Sequence, residues 1–362
     1  MATKEQVVSD LPIPPGEFLA ETLATLNLTQ TELARRMDRP VQAINEIVRG
    51  TKEITPETAI QLERVLSIPA HIWLGLETEY QHTKARLEDR KRLEKEACLA
   101  ASFPWRELAR LGWIPKAKDS LTQTEYLLNF FGVGSLQVVR DAEAAAYRVS
   151  RAMEAKPEAL AAWLRKGVLD ATKILTKPFS EQRLRDSLSG LRHLTTEQPS
   201  VFEPRLKKGL AGCGVALVLL PHLPKTYAHG ATRWLSPEKA LIQLSLRGKW
   251  ADIFWFTLFH EIGHILLHGR RNVFIEWDDR EDDSQEREAD SFATDVLIPH
   301  DDFRAFVRDH PRVSRVDVGS FALSLGISPG IVVGRLQHEK TIPPSHLNGL
   351  RMRLTWRSSD PS

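Results

Sequence analysis

Residues 256–269 read FTLFHEIGHILLHG, and three histidines and one glutamate interrupt this otherwise apolar segment. His260, Glu261 and His264 form the pattern H-E-x-x-H. In an α-helix the residues at i and i+4 share a face, so both imidazoles can reach one ion while Glu261 lies beside them. Catalytic zinc sites use three protein ligands and keep a fourth position open for water. The segment therefore predicts His260 and His264 as zinc ligands and Glu261 as the catalytic general base.

The same residues also fit a core helix whose histidines are satisfied by ordinary hydrogen bonds. An isolated H-E-x-x-H pattern can occur by chance. However, burying two imidazoles and a carboxylate in so apolar a helix costs free energy unless these groups are paired or coordinated. The apolar surroundings therefore favour a metal site.

A third ligand is expected from outside this helix. His268 lies eight positions after His260, and at a helical rise of about 1.5 Å per residue the two are roughly 12 Å apart. That separation is too large for two ligands of one tetrahedral ion. The extended pattern H-E-x-x-H-x-x-G-x-x-H is also absent, because Leu267 and Arg270 stand where its glycine and third histidine would be.

The acidic segment EREAD, residues 286–290, carries the expected third ligand. Glu286 lies 22 residues after His264 and is the predicted ligand. Asp290, one helical turn later, is predicted to orient a ligand imidazole by a hydrogen bond. Glu288 is the competing candidate, and the cluster also fits a solvated helix start.

The two segments HEIGHILLH and EREADSFATDVLIP, in this order and spacing, resemble the ImmA/IrrE family of zinc metallopeptidases over about residues 206–299. The resemblance implies a zincin-like endopeptidase that uses Zn²⁺ and cleaves a helix-turn-helix repressor or antitoxin. In related zinc peptidase folds an edge strand holds the substrate backbone, which makes KALIQLSL, residues 239–246, the expected docking strand. Tyr227, His229 and Arg233 are candidate oxyanion or substrate-binding residues, and we expect at least two of them to be structural.

The N-terminal part of the chain shows two short helical patterns joined by a tight turn, LTQTELARRM and RPVQAINEIVRG. This arrangement is typical of a helix-turn-helix. On the second helix, Gln42, Asn45 and Arg49 lie opposite the apolar face of Ile44 and Ile47. Amide side chains can contact adenine edges, and arginine can contact guanine or phosphate.

Three further residues complete the predicted DNA-binding set. Thr29 and Gln30 stand at the start of the preceding helix, where a phosphate could bind, and Arg39 lies in the turn. The alternative is a small helical bundle used for dimerisation.

Residues 11–81 closely resemble the HigA-type antitoxin branch of the Xre helix-turn-helix family. The resemblance implies a domain that binds operator DNA, forms a homodimer and represses its own operon. The chain departs from this family at the turn, because Asp38, Arg39 and Pro40 stand where a glycine and a serine are usual.

Composition limits the other possibilities. The 362 residues suffice for two or three domains, and Lys+Arg 49 nearly balance Asp+Glu 47, so any DNA-binding surface must be local. The only two cysteines, Cys98 and Cys213, are far apart, which argues against a disulfide framework or a thiolate zinc site. No stretch of eighteen apolar residues occurs, so we expect no membrane contact and a cytoplasmic location.

The expected fold class is α+β and mostly helical. Four segments are predicted: a helix-turn-helix domain (1–81), a helical middle domain (82–203), a zinc metallopeptidase domain with a small sheet (204–340) and a C-terminal tail (341–362). The expected function is a regulator that binds DNA and cleaves a helix-turn-helix partner. The alternative is a HigA-type antitoxin or autorepressor whose peptidase-like domain mainly binds a partner.

Overall fold

The computed structural model describes residues 11–147, 156–269, 274–277 and 284–356. Residues 1–10, and residues 357–362 of the expected tail, lie outside these ranges. The chain forms two compact units, Met1–Cys98 and Leu99–Ser362. Helices predominate and one small sheet is present, so the predicted mostly helical α+β class is confirmed.

The first unit is a bundle of helices. Its elements are α1 (Pro15–Thr25), α2 (Gln30–Arg36), α3 (Val41–Val48), α4 (Pro56–Leu66) and the long α5 (Ala70–Ala100), which carries the chain across the boundary between the units. Side-chain caps begin two of these helices: the hydroxyl of Thr29 accepts from the backbone N–H of Glu32, and that of Thr55 accepts from Thr58. Each cap satisfies a backbone donor that the helix itself leaves without a partner.

The core of this unit lies between α1, α2, α3 and α4, with Trp73 of α5 completely buried beside it. Leu19, Ile44 and Leu62 are also completely buried, and each large apolar side chain removed from water contributes about 1.5–3 kcal/mol. Gly16 allows α1 to approach α3 closely, because a Cβ at this position would meet the carbonyl oxygen of Ile47. The helix α3 is thereby held with its opposite face outward.

The turn between α2 and α3 reaches the usual backbone shape with unusual residues. Asp38 has a φ of 50°, in the left-handed region that glycine normally occupies. Aspartate adopts this region more readily than most residues, so the missing glycine does not prevent the turn. Pro40 then precedes α3 with an extended backbone.

The second unit contains eleven helices and four strands among the described residues. In chain order they are α6 (Trp105–Arg110), α7 (Ser120–Phe131), α8 (Leu136–Tyr147), α9 (Pro157–Lys173), α10 (Glu181–His193), α11 (Pro199–Cys213), β1 (Val215–Leu219), β2 (Ala228–Ser236), β3 (Lys239–Leu244), α12 (Ala251–Leu267), β4 (Phe274–Trp277), α13 (Ser284–Leu297), α14 (His300–Asp309), α15 (Arg315–Leu325) and α16 (Pro329–His338).

The sheet has the strand order β1-β3-β2-β4. Strand β3 pairs in parallel with β1 and antiparallel with β2, and β4 pairs antiparallel with β2. The expectation that KALIQLSL forms the docking edge is therefore wrong, because β3 has a partner strand on both sides and its backbone groups are used. The edges of the sheet are β1 and β4.

Helices α9 and α12 cover opposite faces of this sheet. The Gln243 side chain donates to the carbonyl of Trp163 in α9, whereas the Thr232 hydroxyl donates to the carbonyl of Glu261 in α12. Thr232 pairs with Ile242, the neighbour of Gln243, and successive residues of a strand face opposite sides. Helix α12 is apolar almost all around and nearly every residue in it is buried, as expected for a core helix between layers.

The two units divide the chain differently from the four expected segments. Helix α11 crosses the expected boundary at residue 203, and α9 packs on the sheet, so the expected middle domain shares a core with the peptidase region. The expected tail also belongs to this core. Its Leu354 is buried, and Arg351 forms an ion pair with Asp252 at the start of α12.

Among the described residues, no single helix is both long and apolar enough to cross a membrane. The pair α15 and α16 passes that test of length and composition only when taken together, and the two helices are bent by 114° at the break between them.

Candidate metal centre and nucleic-acid interface

Helices α12 and α13 approach each other closely at two small residues. A Cβ at Gly263 would lie 3.2 Å from the Cα of Ala289, so a larger residue would push the helices apart. Gly263 stands between His260 and His264 in the sequence, and Ala289 follows Glu286 by less than one turn. This contact brings the carboxylate of Glu286 to the two histidines.

The structure brings three ligand-type atoms of these residues together. The Nε2 atoms of His260 and His264 lie 2.9 Å apart, and the Oε2 atom of Glu286 lies 3.1 Å and 3.4 Å from them. Among the described residues, this is the group of three or more histidine, cysteine or acidic side chains with metal-binding geometry. Both histidines are almost fully buried.

The His260 ring is oriented by Asp290. The Nδ1 atom of His260 lies 2.7 Å from Oδ1 of Asp290, and an ionised carboxylate can only accept, so Nδ1 is the donor. In a neutral imidazole the other nitrogen, Nε2, then carries the lone pair. That lone pair points toward Glu286 and His264.

The His264 ring is oriented by His268, which sequence spacing alone excluded as a ligand. The two Nδ1 atoms lie 2.9 Å apart, and Nε2 of His268 lies 3.3 Å from Oε2 of Glu288. If His268 donates to this carboxylate, its Nδ1 accepts from His264, and Nε2 of His264 carries the lone pair. Glu288, the competing ligand in the sequence, therefore contacts His268 instead of the three-residue cluster.

The donor set fits a zinc ion. Two imidazole lone pairs and a carboxylate oxygen converge, an arrangement that is repulsive unless a cation lies among them. Tetrahedral zinc with ligands at about 2.0–2.1 Å places neighbouring ligand atoms about 3.3 Å apart. The three ligand-type atoms of His260, His264 and Glu286 lie 2.9, 3.1 and 3.4 Å from one another, close to this value. His260, His264 and Glu286 can therefore hold the ion, with Asp290 and His268 supporting the two rings.

Glu261 lies beside this cluster in a tightly built environment. Its side chain is completely buried, and its own carbonyl accepts a hydrogen bond from Thr232 of β2 at 3.3 Å. A Cβ at Gly230 would lie only 2.4 Å from Oε1 of Glu261. The missing side chain at Gly230 thus makes room for the carboxylate, a requirement that sequence reasoning missed and that a glycine within a β-rich run could have signalled.

The three candidate oxyanion or substrate-binding residues upstream of α12 do not lie together in the structure. His229 lines a cavity beside the first turns of α12. Tyr227 precedes β2, and its ring lies under the guanidinium of Arg247 at 4.6 Å. Arg233 follows Thr232 and so projects from the opposite face of the sheet, away from α12. This orientation does not support an oxyanion or substrate role for Arg233, and that role stays a prediction.

The second helix of the helix-turn-helix, α3, presents a polar outer face. Gln42 and Arg49 are exposed and Asn45 is partly exposed, whereas Ile44 and Ile47 are buried. Gln42 donates to Glu46 within the helix at 3.1 Å. The three predicted base-contacting side chains thus lie on one accessible surface.

The remaining predicted DNA contacts differ in their surroundings. Thr29 is exposed and Gln30 is partly exposed at the start of α2. The Arg39 side chain is only 19% exposed because it donates to Gln61 and lies 3.8 Å from Glu57. Arg39 thus joins the turn to α4, in contrast to its expected DNA contact.

The positive charge near α2 is partly neutralised. Hydrogen bonds from Arg35 and Arg36 lower the pKa of Glu32 to about 2. Glu32 therefore stays ionised at neutral pH, and both guanidinium groups are paired with it. Phosphate contacts near α2 would have to compete with this carboxylate.

Two known families match this chain. Residues 242–337 match the peptidase family M78, described as the IrrE N-terminal-like domain, and residues 19–73 match the helix-turn-helix family. These matches agree with the two resemblances seen in the sequence.

Curated relatives match about a fifth of the chain. The uncharacterized HTH-type transcriptional regulator YddM of Escherichia coli is 31% identical over 71 residues, which are 20% of this chain and 76% of that protein. Virulence-associated protein I of Dichelobacter nodosus is 39% identical over 69 residues, which are 19% of this chain and 64% of that protein.

Solved structures also match part of this chain, and two of them are described below. An addiction module antidote protein of the HigA family from Coxiella burnetii is 33% identical and matches 23% of this chain and 92% of its own, with a TM-score of 0.22. The Pseudomonas aeruginosa antitoxin HigA with the higBA promoter is 32% identical and matches 24% and 94%, with a TM-score of 0.23.

Proposed function

The chain belongs to the helix-turn-helix transcriptional regulators and carries an IrrE-like peptidase domain, and we propose that it joins operator binding to zinc-dependent proteolysis. The helix-turn-helix domain binds operator DNA. The peptidase domain is an endopeptidase that cleaves a helix-turn-helix repressor or antitoxin. The observation that carries the enzymatic part is the convergence of the Nε2 atoms of His260 and His264 on the carboxylate of Glu286.

The proposed roles follow from these contacts. His260, His264 and Glu286 hold the ion, Asp290 and His268 orient the two imidazoles, and Glu261 serves as general base. A bound Zn²⁺ supplies Lewis acidity, which polarises the scissile carbonyl and makes water a better nucleophile at neutral pH.

Glu261 moves the proton in the reaction. It takes a proton from water as the water oxygen bonds to the carbonyl carbon of the peptide. The carbon–nitrogen bond then breaks, and Glu261 returns the proton to the departing nitrogen. The products are a new carboxyl terminus and a new amino terminus. Complete burial of Glu261 excludes bulk water and strengthens its interaction with the reacting groups.

The DNA-binding part rests on the accessible polar face of α3. Gln42 and Asn45 offer amides that can contact adenine, and Arg49 can contact guanine or phosphate. Because Glu32 neutralises Arg35 and Arg36, base contacts from α3 contribute a larger share of operator affinity than they would beside free arginines.

Metal analysis combined with a cleavage assay tests the enzymatic proposal. The zinc-loaded full chain is incubated with helix-turn-helix repressors and antitoxins encoded near its gene, and new termini are sequenced. We expect His260→Ala to lose most of the zinc. Glu261→Gln should keep zinc and lose cleavage, because an amide cannot accept the proton of water.

The outcomes separate the two functions. Full zinc content in His260→Ala, or full cleavage by Glu261→Gln, would contradict the proposal. A stable complex with a partner that remains uncut by the zinc-loaded wild type would instead support the alternative of an antitoxin or autorepressor with a partner-binding peptidase fold.

A further inference from the structure

Three segments of the second unit meet where the parallel strands β1 and β3 end: residues 220–229, 245–250 and 351–356. Backbone hydrogen bonds join them, from Ser245 to the carbonyl of His229 at 2.8 Å and from Leu354 to the carbonyl of Lys249 at 2.8 Å. The three segments therefore form one continuous surface, which we call the basic end of the sheet.

The basic end of the sheet contains no aspartate or glutamate, although the whole chain is nearly balanced in charge. Its basic residues are Lys225, Arg247, Lys249, Arg351, Arg353, His222 and His229. Lys225, Lys249 and Arg353 are exposed, and none of these three pairs with a carboxylate among the described residues. Positive charge is thus concentrated on one surface of a chain whose net charge is only +2.

The basic side chains from different segments act on one another. Burial lowers the pKa of His222. The positive charges of Arg247 and Lys249 lower it further, as does His229 when it is protonated. Charges shift a pKa in this way only when they lie close by, so residues of two segments share one positive field. A bound anion would relieve the repulsion among them.

The backbone holds this surface in a fixed shape. Lys225, Tyr227 and Lys249 have φ values of 66°, 54° and 55°, in the left-handed region that residues other than glycine occupy only where their surroundings fix them. The carbonyl of each accepts a hydrogen bond from another part of the chain: from the backbone of Lys156, from the guanidinium of Arg247 and from the backbone of Leu354. The basic side chains therefore extend from a rigid base.

The aromatic rings of the surface already hold guanidinium groups. Arg247 lies 4.6 Å from the ring centroid of Tyr227, and Arg351 and Arg353 each lie 4.5 Å from that of Trp250. Surfaces that bind single-stranded nucleic acid stack bases on aromatic rings. Here the rings are in contact with cations, which are thereby held in position. The arrangement favours contacts to phosphate over contacts to bases.

We propose that the basic end of the sheet binds the phosphate backbone of duplex DNA, without regard to base sequence. Duplex DNA carries one charge per about 1.7 Å of its length, whereas an acidic polypeptide carries at most one per residue, or about 3.3 Å of extended chain. The duplex is therefore the denser anion for a cluster of lysines and arginines. This second DNA contact lies in the peptidase-bearing unit and involves neither α3 nor the metal centre.

The salt dependence of binding to a random-sequence duplex tests the proposal, because each phosphate contact contributes about −0.9 to the slope of log K against log salt. The variant Lys225→Gln/Lys249→Gln/Arg353→Gln removes three charges. Its slope in the full chain should be shallower than that of the wild type by about 2–3. Its affinity near 0.1 M salt should be at least about tenfold lower. Fluorescence anisotropy at several salt concentrations measures both quantities.

A charge-matched variant separates this surface from the effect of overall charge. Lys116→Gln/Lys118→Gln/Lys208→Gln neutralises three exposed lysines outside the basic end of the sheet and should keep a slope near that of the wild type. Thermal unfolding verifies that each protein is folded. If the first variant does not fold, Lys225→Gln/Lys249→Gln carries the test, with an expected slope change of about 2.

Three results would overturn the proposal. The first is an unchanged slope in the folded surface variant, and the second is an equal change in the surface variant and its charge-matched control. The third comes from polyglutamate as a competing anion. If the surface variant loses binding to polyglutamate while its slope on duplex DNA stays at the wild-type value, the surface binds an acidic polypeptide instead of DNA.

Discussion

The Nδ1 atom of His264 lies 2.9 Å from the Nδ1 atom of His268. His268, which directly follows the last residue of α12, thus contacts the back of the His264 ring, on the side away from Glu286. Through Nε2 it reaches Glu288 on α13. The two rings of the proposed metal site are therefore each supported from α13, one directly by Asp290 and one through His268.

The first prediction concerns this support. His268→Ala should retain zinc but bind it about 10–100-fold more weakly, because an unsupported imidazole loses its fixed tautomer and orientation. Glu288→Ala should weaken zinc binding less than His268→Ala does. The Glu288 carboxylate is exposed, and it contacts His268 and not the ligand His264. Competition with a chromogenic chelator measures the affinity of each protein.

Leu267→Ala is the control for that series, because Leu267 precedes His268 and is 42% exposed. Its zinc affinity should match the wild type. An unchanged affinity in His268→Ala would mean that the contact between the two histidines does not position the ligand.

The sequence was informative where function depends on local spacing. His260, Glu261 and His264 share a helix face by periodicity alone, and Ile44 and Ile47 separate the inner and outer faces of α3 in the same way. Strand order was not predictable, because the pairing that places β3 inside the sheet joins it to strands on both sides. The side of the sheet occupied by Arg233, and the contact of Gly263 with Ala289, also depend on such long-range packing.

The second prediction tests the space around the proposed general base. Gly230→Ala should keep its zinc and reduce cleavage by about 100-fold, because the new Cβ would lie 2.4 Å from Oε1 of Glu261 and displacements of about 1 Å can cost this much. Zinc content and cleavage rate are measured on the same sample. Gly269→Ala, where a Cβ meets nothing within 4 Å, is the control, and equal activity of the two variants would contradict the argument.

The third prediction concerns the ion pair between the C-terminal segment and α12. Arg351 and Asp252 have side chains only 10% and 8% exposed. Arg351→Ala leaves a buried carboxylate alone, so the free energy of unfolding should fall by about 3–5 kcal/mol. The guanidinium groups of Arg351 and Arg353 both lie over the Trp250 ring, and Arg353→Ala, which removes only this contact of Arg353, should cost about 1 kcal/mol or less. Denaturant unfolding of both variants compares these losses.

The loss in Arg351→Ala should also depend on pH. Burial raises the pKa of Asp252, and the hydrogen bonds from Arg351 act in the opposite direction. Without Arg351 the folded-state pKa lies further above the unfolded value, so the folded protein takes up the proton more readily and gains relative stability as pH falls. The deficit against wild type should therefore be smaller at acidic than at neutral pH, and a deficit that grows on acidification would contradict this assignment.

The last prediction separates two arginines of the helix-turn-helix. Arg49 is exposed on α3, whereas Arg39 is held by Gln61 and Glu57 of α4. The operator tested is the DNA upstream of the protein's own gene. Arg49→Ala should weaken binding to this operator by about 1–3 kcal/mol if it contacts a base, with little change in stability. Arg39→Ala should lower the unfolding temperature and leave the ratio of operator to random-duplex affinity unchanged.

Fluorescence anisotropy at several salt concentrations measures both affinities for the full chain. Arg64→Ala, exposed on α4, is the charge-matched control. Equal loss of operator preference in Arg39→Ala and Arg49→Ala would show that the turn, and not only α3, contacts the DNA.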